Sequence, residues 1–406
     1  MATESWQFMQ DGVLFATFNR QGGPRQLPFS LIPRGETDFH SQNWYMLMAT
    51  HDLARGVLTL TGMISLEPAT VGARGYGELF QMGEAYHGLE NIDRQHPHDL
   101  FMQLGAIWRT PLGNGFSLTL AGAPVGEAAL GPVAYMHRAS ASENPIAPVS
   151  HHTFDSTHVT QGVVTAGIDR GAWTIESSAF HGREPDEDRW NLETHSLDSY
   201  SVRVGYRPSP AWAAQFSHGF LKQPEQLEPG DQRRTNGSLS WFRERENGFI
   251  AVSTMYGRVQ RTFTNTWATL SEATAQLGET SVYGRVEELQ VETEHLLFPT
   301  VVHRPHPGEL LDRLGVFTVG AVRNLWHPAG FDVGMGGDVV FYAVPALLQL
   351  QRGVHPVSFH LFMRVRPPVS KMGRMWNRTM TDPMAGEHDM AGMHHATAGQ
   401  LPFRQR

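Results

Sequence analysis

The chain has no cysteine in 406 residues. That excludes disulfides, thiolate metal sites, c-type haem attachment and a cysteine nucleophile. It also suits a chain that passes through an oxidising periplasm. Charge is scarce: Asp, Glu, Lys and Arg make up 18%, low for a soluble protein of this size. The formal net charge is −8, which argues against a nucleic-acid partner, since such binders need a basic stripe. No run of about eighteen apolar residues occurs, so no transmembrane helix is expected. The mean hydropathy, −0.32, agrees. Met1 to Gln10 has neither a basic start nor an apolar core, so it does not read as a signal peptide. An exported form would carry its signal outside this sequence. No G-x-S-x-G, H-E-x-x-H, phosphate loop or dinucleotide fingerprint is present. Ser217 and His218 are sequence neighbours, so on a strand they face opposite sides and make a poor hydrolytic pair.

What is abundant is turn-forming residues, with 41 Gly and 25 Pro, together with 10 Trp. Between the turns, apolar and polar residues alternate with the period of a strand that has two unlike faces. In 57–67, Leu58, Leu60, Ile64 and Leu66 share one face. In 359–366, Phe359, Leu361, Met363 and Val365 alternate with His360, Phe362, Arg364 and Arg366. About sixteen such runs of about ten residues are read, centred near 13, 47, 61, 105, 119, 163, 176, 202, 216, 239, 253, 269, 286, 319, 336 and 362.

The connectors alternate in length. Pro111-Leu112-Gly113-Asn114-Gly115, Asp169-Arg170-Gly171 and Leu277-Gly278-Glu279 are short hairpin turns. Stretches 19–41, 68–99, 125–155, 182–196, 222–232, 293–308 and 342–355 are long. This predicts an all-β fold, an antiparallel transmembrane β-barrel of about 16 strands with short periplasmic turns and long extracellular loops. A soluble sandwich or propeller would share the alternation but not the connector pattern. The barrel is assigned to residues 1–368. Arg203, Arg285, Arg364 and Arg366 fall on the polar face and would set lumen charge. Trp44, Tyr45, Trp108, Trp173, Trp212, Trp241, Tyr256 and Trp326 lie near strand ends, as girdle residues would. Residues 369–406 form a Met/His-rich tail, expected to be disordered.

The densest chemistry lies in 83–99, with three histidines and four carboxylates in seventeen residues. Pro97 pushes His96 out of the helical region, so His96 and His98 sit on an extended segment with their rings on one side. Asp99 follows and suits ligation or orientation of a histidine. If loops 68–99 and 125–155 fold together, His87, His96, His98, His151 and His152 converge, either as a transition-metal site or as a hydrogen-bonded plug. A barrel of this width needs something to constrict it. In the tail, Met384, His388, Met390, Met393, His394 and His395 combine soft thioethers with imidazoles, a donor set for copper.

Several segments resemble a poorly characterised family of bacterial outer-membrane β-barrel proteins associated with metal-resistance genes. The residues that carry the likeness are Phe18-Asn19-Arg20-Gln21-Gly22-Gly23-Pro24-Arg25, Ser65-Leu66-Glu67-Pro68-Ala69-Thr70, Asp93-Arg94-Gln95-His96-Pro97-His98-Asp99, Gly126-Glu127-Ala128-Ala129-Leu130-Gly131-Pro132 and Gly182-Arg183-Glu184-Pro185-Asp186. The resemblance implies a barrel over most of the chain and no particular chemistry. The expectation is a non-enzymatic, porin-like or transport-associated barrel of a Gram-negative outer membrane, linked to copper or zinc. Its partners would be membrane lipid and a small solute or metal ion. The alternatives are an outer-membrane metal-dependent hydrolase, with His96, His98 and a carboxylate holding the ion, and a purely structural barrel.

Overall fold

The computed structural model describes residues 6–23, 36–193, 195–298, 306–370 and 372–382. Eighteen strands run through it. In chain order the first half comprises β1 (Gln7–Arg20), β2 (Thr37–Leu53), β3 (Gly56–Ile64), β4 (Tyr76–Tyr86), β5 (Leu89–Gln95), β6 (Phe101–Gly113), β7 (Phe116–Gly126), β8 (Thr160–Arg170) and β9 (Trp173–Phe180). The second half comprises β10 (Ser199–Ser209), β11 (Trp212–Leu221), β12 (Gln232–Arg245), β13 (Gly248–Gln260), β14 (Asn265–Leu277), β15 (Thr280–Glu292), β16 (Leu311–Trp326), β17 (Asp332–Ala343) and β18 (Val357–Arg366).

Sixteen of these close into one antiparallel barrel, each paired with its sequence neighbour except where β3 meets β6 and β18 returns to β1. The closing pair puts Leu14 opposite Val365 and Phe18 opposite Leu361. Every sequence-predicted strand centre falls within a barrel strand. The remaining two strands, β4 and β5, form a separate hairpin within the stretch expected to be a loop.

Each barrel strand presents one side outward. On β13, Ala251, Ser253, Met255 and Val259 are buried, whereas Val252 and Tyr256 are exposed. Ile168, Ile175, Val202, Phe216, Val286 and Leu361 continue the outer belt around the wall. A contiguous apolar surface of this extent has a stable home only against lipid. Closure satisfies every wall strand's backbone and leaves no edge.

Six of the turns at one rim have two residues, and a seventh, 327–331 between β16 and β17, has five. Asn114 (φ 52°) and Gly115 (φ 77°) occupy the left-handed region that such turns require. Trp173 lies 4.4 Å from Tyr206, and Trp212 6.4 Å from Trp241, near that same rim. They make the expected girdle, with one exception. Trp44 points inward and packs against buried side chains, because its place on β2 falls on the lumen side of the alternation.

The long connectors leave from the other rim. One of them, 127–159, turns into the barrel. Ala128, Arg138, Ala139, Glu143, Ser150 and His151 are each at most 1% exposed. Residues 372–382 also fold back into the lumen, where Met375 and Met380 are buried. Disorder was expected from Val369 onward, and this part of the tail departs from it because Asp11, Glu127 and Glu176 of the barrel interior supply its hydrogen-bond partners.

Placing a charge in the outer belt tests the lipid assignment. Val286→Arg, at the middle of β15, is expected to lower folding stability in liposomes by about 2–4 kcal/mol. Reversible urea unfolding monitored by tryptophan fluorescence measures this, and Val286→Leu serves as the neutral control.

Candidate functional site

The inward loop is fastened around the wall by its own backbone and by buried charges. Ala129 N–H donates to Ser178 Oγ of β9 at 2.8 Å, and Gly131 N–H to Ser217 Oγ of β11 at 2.9 Å. Ser217 is thus buried and occupied, while His218 faces outward to Thr235 at 2.9 Å, as their adjacency predicted. Arg138 Nε donates to Glu272 of β14 at 2.6 Å and its Nη1 to Asp155 at 3.1 Å. Ser150 N–H donates to Glu287 of β15 at 2.9 Å. Loop residue Glu143 accepts from Arg364 and Arg366 of β18.

All four arginines expected to set lumen charge do face inward, and all four are buried. Each meets a carboxylate. Arg203 is held by Glu176 at 2.9 Å and Glu127 at 3.1 Å, and Arg285 lies 3.4 Å from Glu272. In this structure they clamp the plug instead of facing open water.

Where the inward loop meets the segment after β5, histidines gather. The His96 ring lies 5.4 Å from His152, and His152 5.3 Å from His151. His151 lies 5.1 Å from His158, which is 5.4 Å from His98. Tyr135 closes the group, 5.3 Å from His151. Four of the five histidines expected to converge therefore do so. His87 does not: it is exposed at the tip of the β4–β5 hairpin beside Tyr86, its N–H donating to Glu187 at 2.5 Å. His158, Glu67 and Tyr135 complete the group, and sequence reasoning missed Glu67 and Tyr135.

His96, His98 and Asp99, the ligands the sequence suggested, have separate partners. His98 is held by Glu67, which accepts from its N–H at 2.8 Å and lies 3.0 Å from Nδ1. Asp99 pairs with Arg189 at 3.2 Å. His96 packs on His152. Among the described residues, no three histidine or carboxylate side chains are placed to hold one metal ion. Met384, His388, Met390, Met393, His394 and His395 lie outside the described residues.

The surroundings push these groups apart in acidity. Burial pulls the His98 imidazole down, but the Glu67 carboxylate outweighs it and holds the pKa above the ordinary value. Burial and the Arg189 guanidinium push His96 well below it. Burial, with His151 and His98 nearby, takes His158 down to about 3. Burial would raise Asp155, but His151 at 2.5 Å and Arg138 outweigh that and hold it well below the usual carboxylate range.

On the wall beside this cluster, methionines dominate. Met9 of β1, Met46 and Met48 of β2, Met63 of β3 and Met102 of β6 form one buried group. Met372 and Met375 of the tail join it, and Met136 of the loop packs against it. Trp44 packs there too, with its ring edge-on to His137 at 4.8 Å. The tail is latched by Asp11, which accepts from Met375 N–H at 2.8 Å and Arg374 Nη1 at 3.1 Å. A cavity of about 30 Å³ lies between the two clusters, lined by Glu67, His98 and Tyr135 on one side and Asp11, Trp44 and Met136 on the other. That is room for a few waters at most. The signal for the methionine sector was in the sequence: Met46 and Met48 are two apart and share the inward face.

No protein-family model matches the chain, and no curated protein matches it. Solved structures do. A loop L8 deletion mutant of OmpT, an outer membrane protein of Vibrio cholerae, aligns with a TM-score of 0.52 at 8% identity, covering 90% of this chain and 100% of that one. An anion-selective porin from Comamonas acidovorans gives 0.50 at 12% identity, covering 89% and 100%. At such identities the likeness is one of fold. The chain is a closed sixteen-strand antiparallel barrel with the architecture of outer-membrane porins. The barrel half of the sequence resemblance has its counterpart in these matches, and the metal-resistance half has none.

The histidine cluster makes a pH prediction. His96 and His158 are neutral when packed and return to an ordinary pKa near 6.5 when the loop is released. A folded pKa that is lowered costs stability as pH falls below the released value, so acid favours the released loop. His98 has the opposite sign: its stabilisation is complete below pH 6.5 and adds no slope there. Between about pH 6 and 5, protection of residues 135–158 against hydrogen exchange is expected to fall by up to about tenfold per pH unit for each of the two histidines. His158→Phe removes one of the two contributions and makes the profile shallower.

Proposed function

We propose that the chain is a porin-like barrel of a Gram-negative outer membrane, passing small solutes under the control of the loop packed in its lumen. The observation that carries this reading is the opposition of two surfaces on the same strands. The outer side is an apolar belt, and the inner side bears Glu176, Arg203, Glu272, Arg285, Arg364 and Arg366. Lipid outside and a polar passage inside account for both. The porin-like alignments support the same architecture.

The reading is non-enzymatic. Ser217 serves the plug, and the imidazoles pack on one another instead of framing an open ligand position. The arginines keep a role in lumen charge once the loop moves, because their carboxylate partners Glu143 and Glu127 leave with it. The wall of the released state would then be more positive than that of the packed state. The finer half of the reading, a link to copper or another transition metal, is supported by the methionine sector more than by His96, His98 and Asp99.

Glu143 is the residue to remove. Glu143→Ala leaves Arg364 and Arg366 buried without that partner, a loss of about 3–5 kcal/mol from the packed loop. In planar bilayers the native protein is expected to give small, infrequent conductance steps, and Glu143→Ala larger and longer ones. Equal, featureless traces from both proteins would instead mark a closed, structural barrel.

A further inference from the structure

The inward face of a porin-like wall is ordinarily polar, yet one sector here is lined with sulfur. The pairing is direct. Met9 stands opposite Met48 across β1 and β2, and Met46 opposite Met63 across β2 and β3. Side chains so placed have their Cβ atoms about 4.5–5.5 Å apart. The register shifts between β3 and β6 after Met63, which pairs with Gln103, while Ile64 pairs with Phe101. Met102 is thus the unpaired residue of a bulge, and it turns into the same group, 1% exposed. A sector that only had to be filled would be better specified by Leu, Ile and Val, whose rotamers are fewer. Methionine's three rotatable bonds let several sulfurs converge on one point.

A second, independent observation points to a ligand. His137, carried by the inward loop, is 7% exposed, and its Nδ1 has no hydrogen-bond partner. Leaving such an atom buried and unpaired is unfavourable. Its ring lies against Trp44, which itself packs on the methionines. Thioether sulfur is a soft donor, and neutral imidazole complements it for a soft ion.

We propose that Met9, Met46, Met48, Met63 and Met102, together with His137, form a binding site for a soft monovalent cation, Cu(I) or Ag(I). Trp44 and Met136, which pack on these methionines, also line the small cavity that Glu67 and His98 border. Incoming Cu(II) would need a one-electron reductant to enter as Cu(I); Ag(I) needs none and is the cleaner probe. The site names the cargo of the passage proposed above, and only its transport half rests on that reading.

The test is titration of the detergent-folded full chain with silver nitrate in chloride-free buffer, with Ag K-edge absorption to identify the neighbouring atoms. The triple variant Met46→Leu/Met48→Leu/Met63→Leu keeps side-chain volume and is expected to fold, as read by the gel shift between unheated and boiled samples. The native chain should bind at least one more Ag(I) than the triple variant, with sulfur and nitrogen neighbours that the variant lacks. His137→Phe should lose the nitrogen neighbour and weaken binding by about tenfold or more. Equal stoichiometry and spectra in native and triple-variant protein would overturn the proposal and place the silver elsewhere, the 383–406 segment included. Should the triple variant fail to fold, Met46→Leu and Met48→Leu singly are read by the same titration and the same criterion. Bilayer conductance of the same samples separates the two claims: silver binding without conductance removes the passage and keeps the site, and conductance without the silver difference does the reverse.

Discussion

The plug of this barrel is held by buried charges that meet in pairs. The wall strands carry arginines and carboxylates on their lumen side, and the 127–159 loop brings the opposing groups to meet them. Arg138 reaches Glu272 and Asp155, Glu143 meets Arg364 and Arg366, and Glu127 meets Arg203. Desolvating an ion costs several kcal/mol, which attraction offsets only when geometry and remaining hydrogen bonds are good. The plug is therefore held by interactions that are strong together and weak if one member leaves. That is a suitable basis for a constriction that is firm at rest and released as a unit. The histidine cluster sits where the loop meets the segment after β5, so its protonation acts on the same element.

The fold was legible because the period of two survives throughout. On β13, alternate residues are buried from Phe249 to Val259, and the same alternation in the sequence located the strand. Connector length gave the two rims because short turns, most of them at turn-forming residues, alternate with long loops. Local pattern could not show the β4–β5 hairpin. Its register with the barrel interior depends on distant partners, such as Asp38 accepting from Gly77 N–H and Gln21 from Leu79 N–H. Trp44 was misplaced for a different reason: nearness to a strand end was given more weight than the face it occupies.

The site was half legible. Histidine density and the His96-Pro97-His98 geometry drew attention to the right loop, and convergence with His151 and His152 followed from assuming that two long loops fold inward together. What those histidines do there was less visible. Glu67, thirty-one residues before His98, takes the contact that a metal would otherwise have taken, and Arg189 takes Asp99. The methionine sector was passed over because methionine on a strand reads as ordinary apolar filling. Its meaning appears only when Met9, Met46, Met48 and Met63 are seen to be cross-strand neighbours facing inward. The soft-donor chemistry first noticed in the tail thus recurs in the wall.

The claim beneath all of this is that each wall strand has lipid on one side and a packed loop on the other. The absence of native cysteine makes every introduced thiol a unique label. Single cysteines from Ile250 to Arg258, spin-labelled in liposomes, should show accessibility to dissolved oxygen at 252, 254 and 256. At 251, 253 and 255 they should show low accessibility to oxygen and to water-soluble relaxants alike. High access of the water-soluble relaxant at all of these positions, with no alternation, would contradict both the lipid belt and the packed lumen.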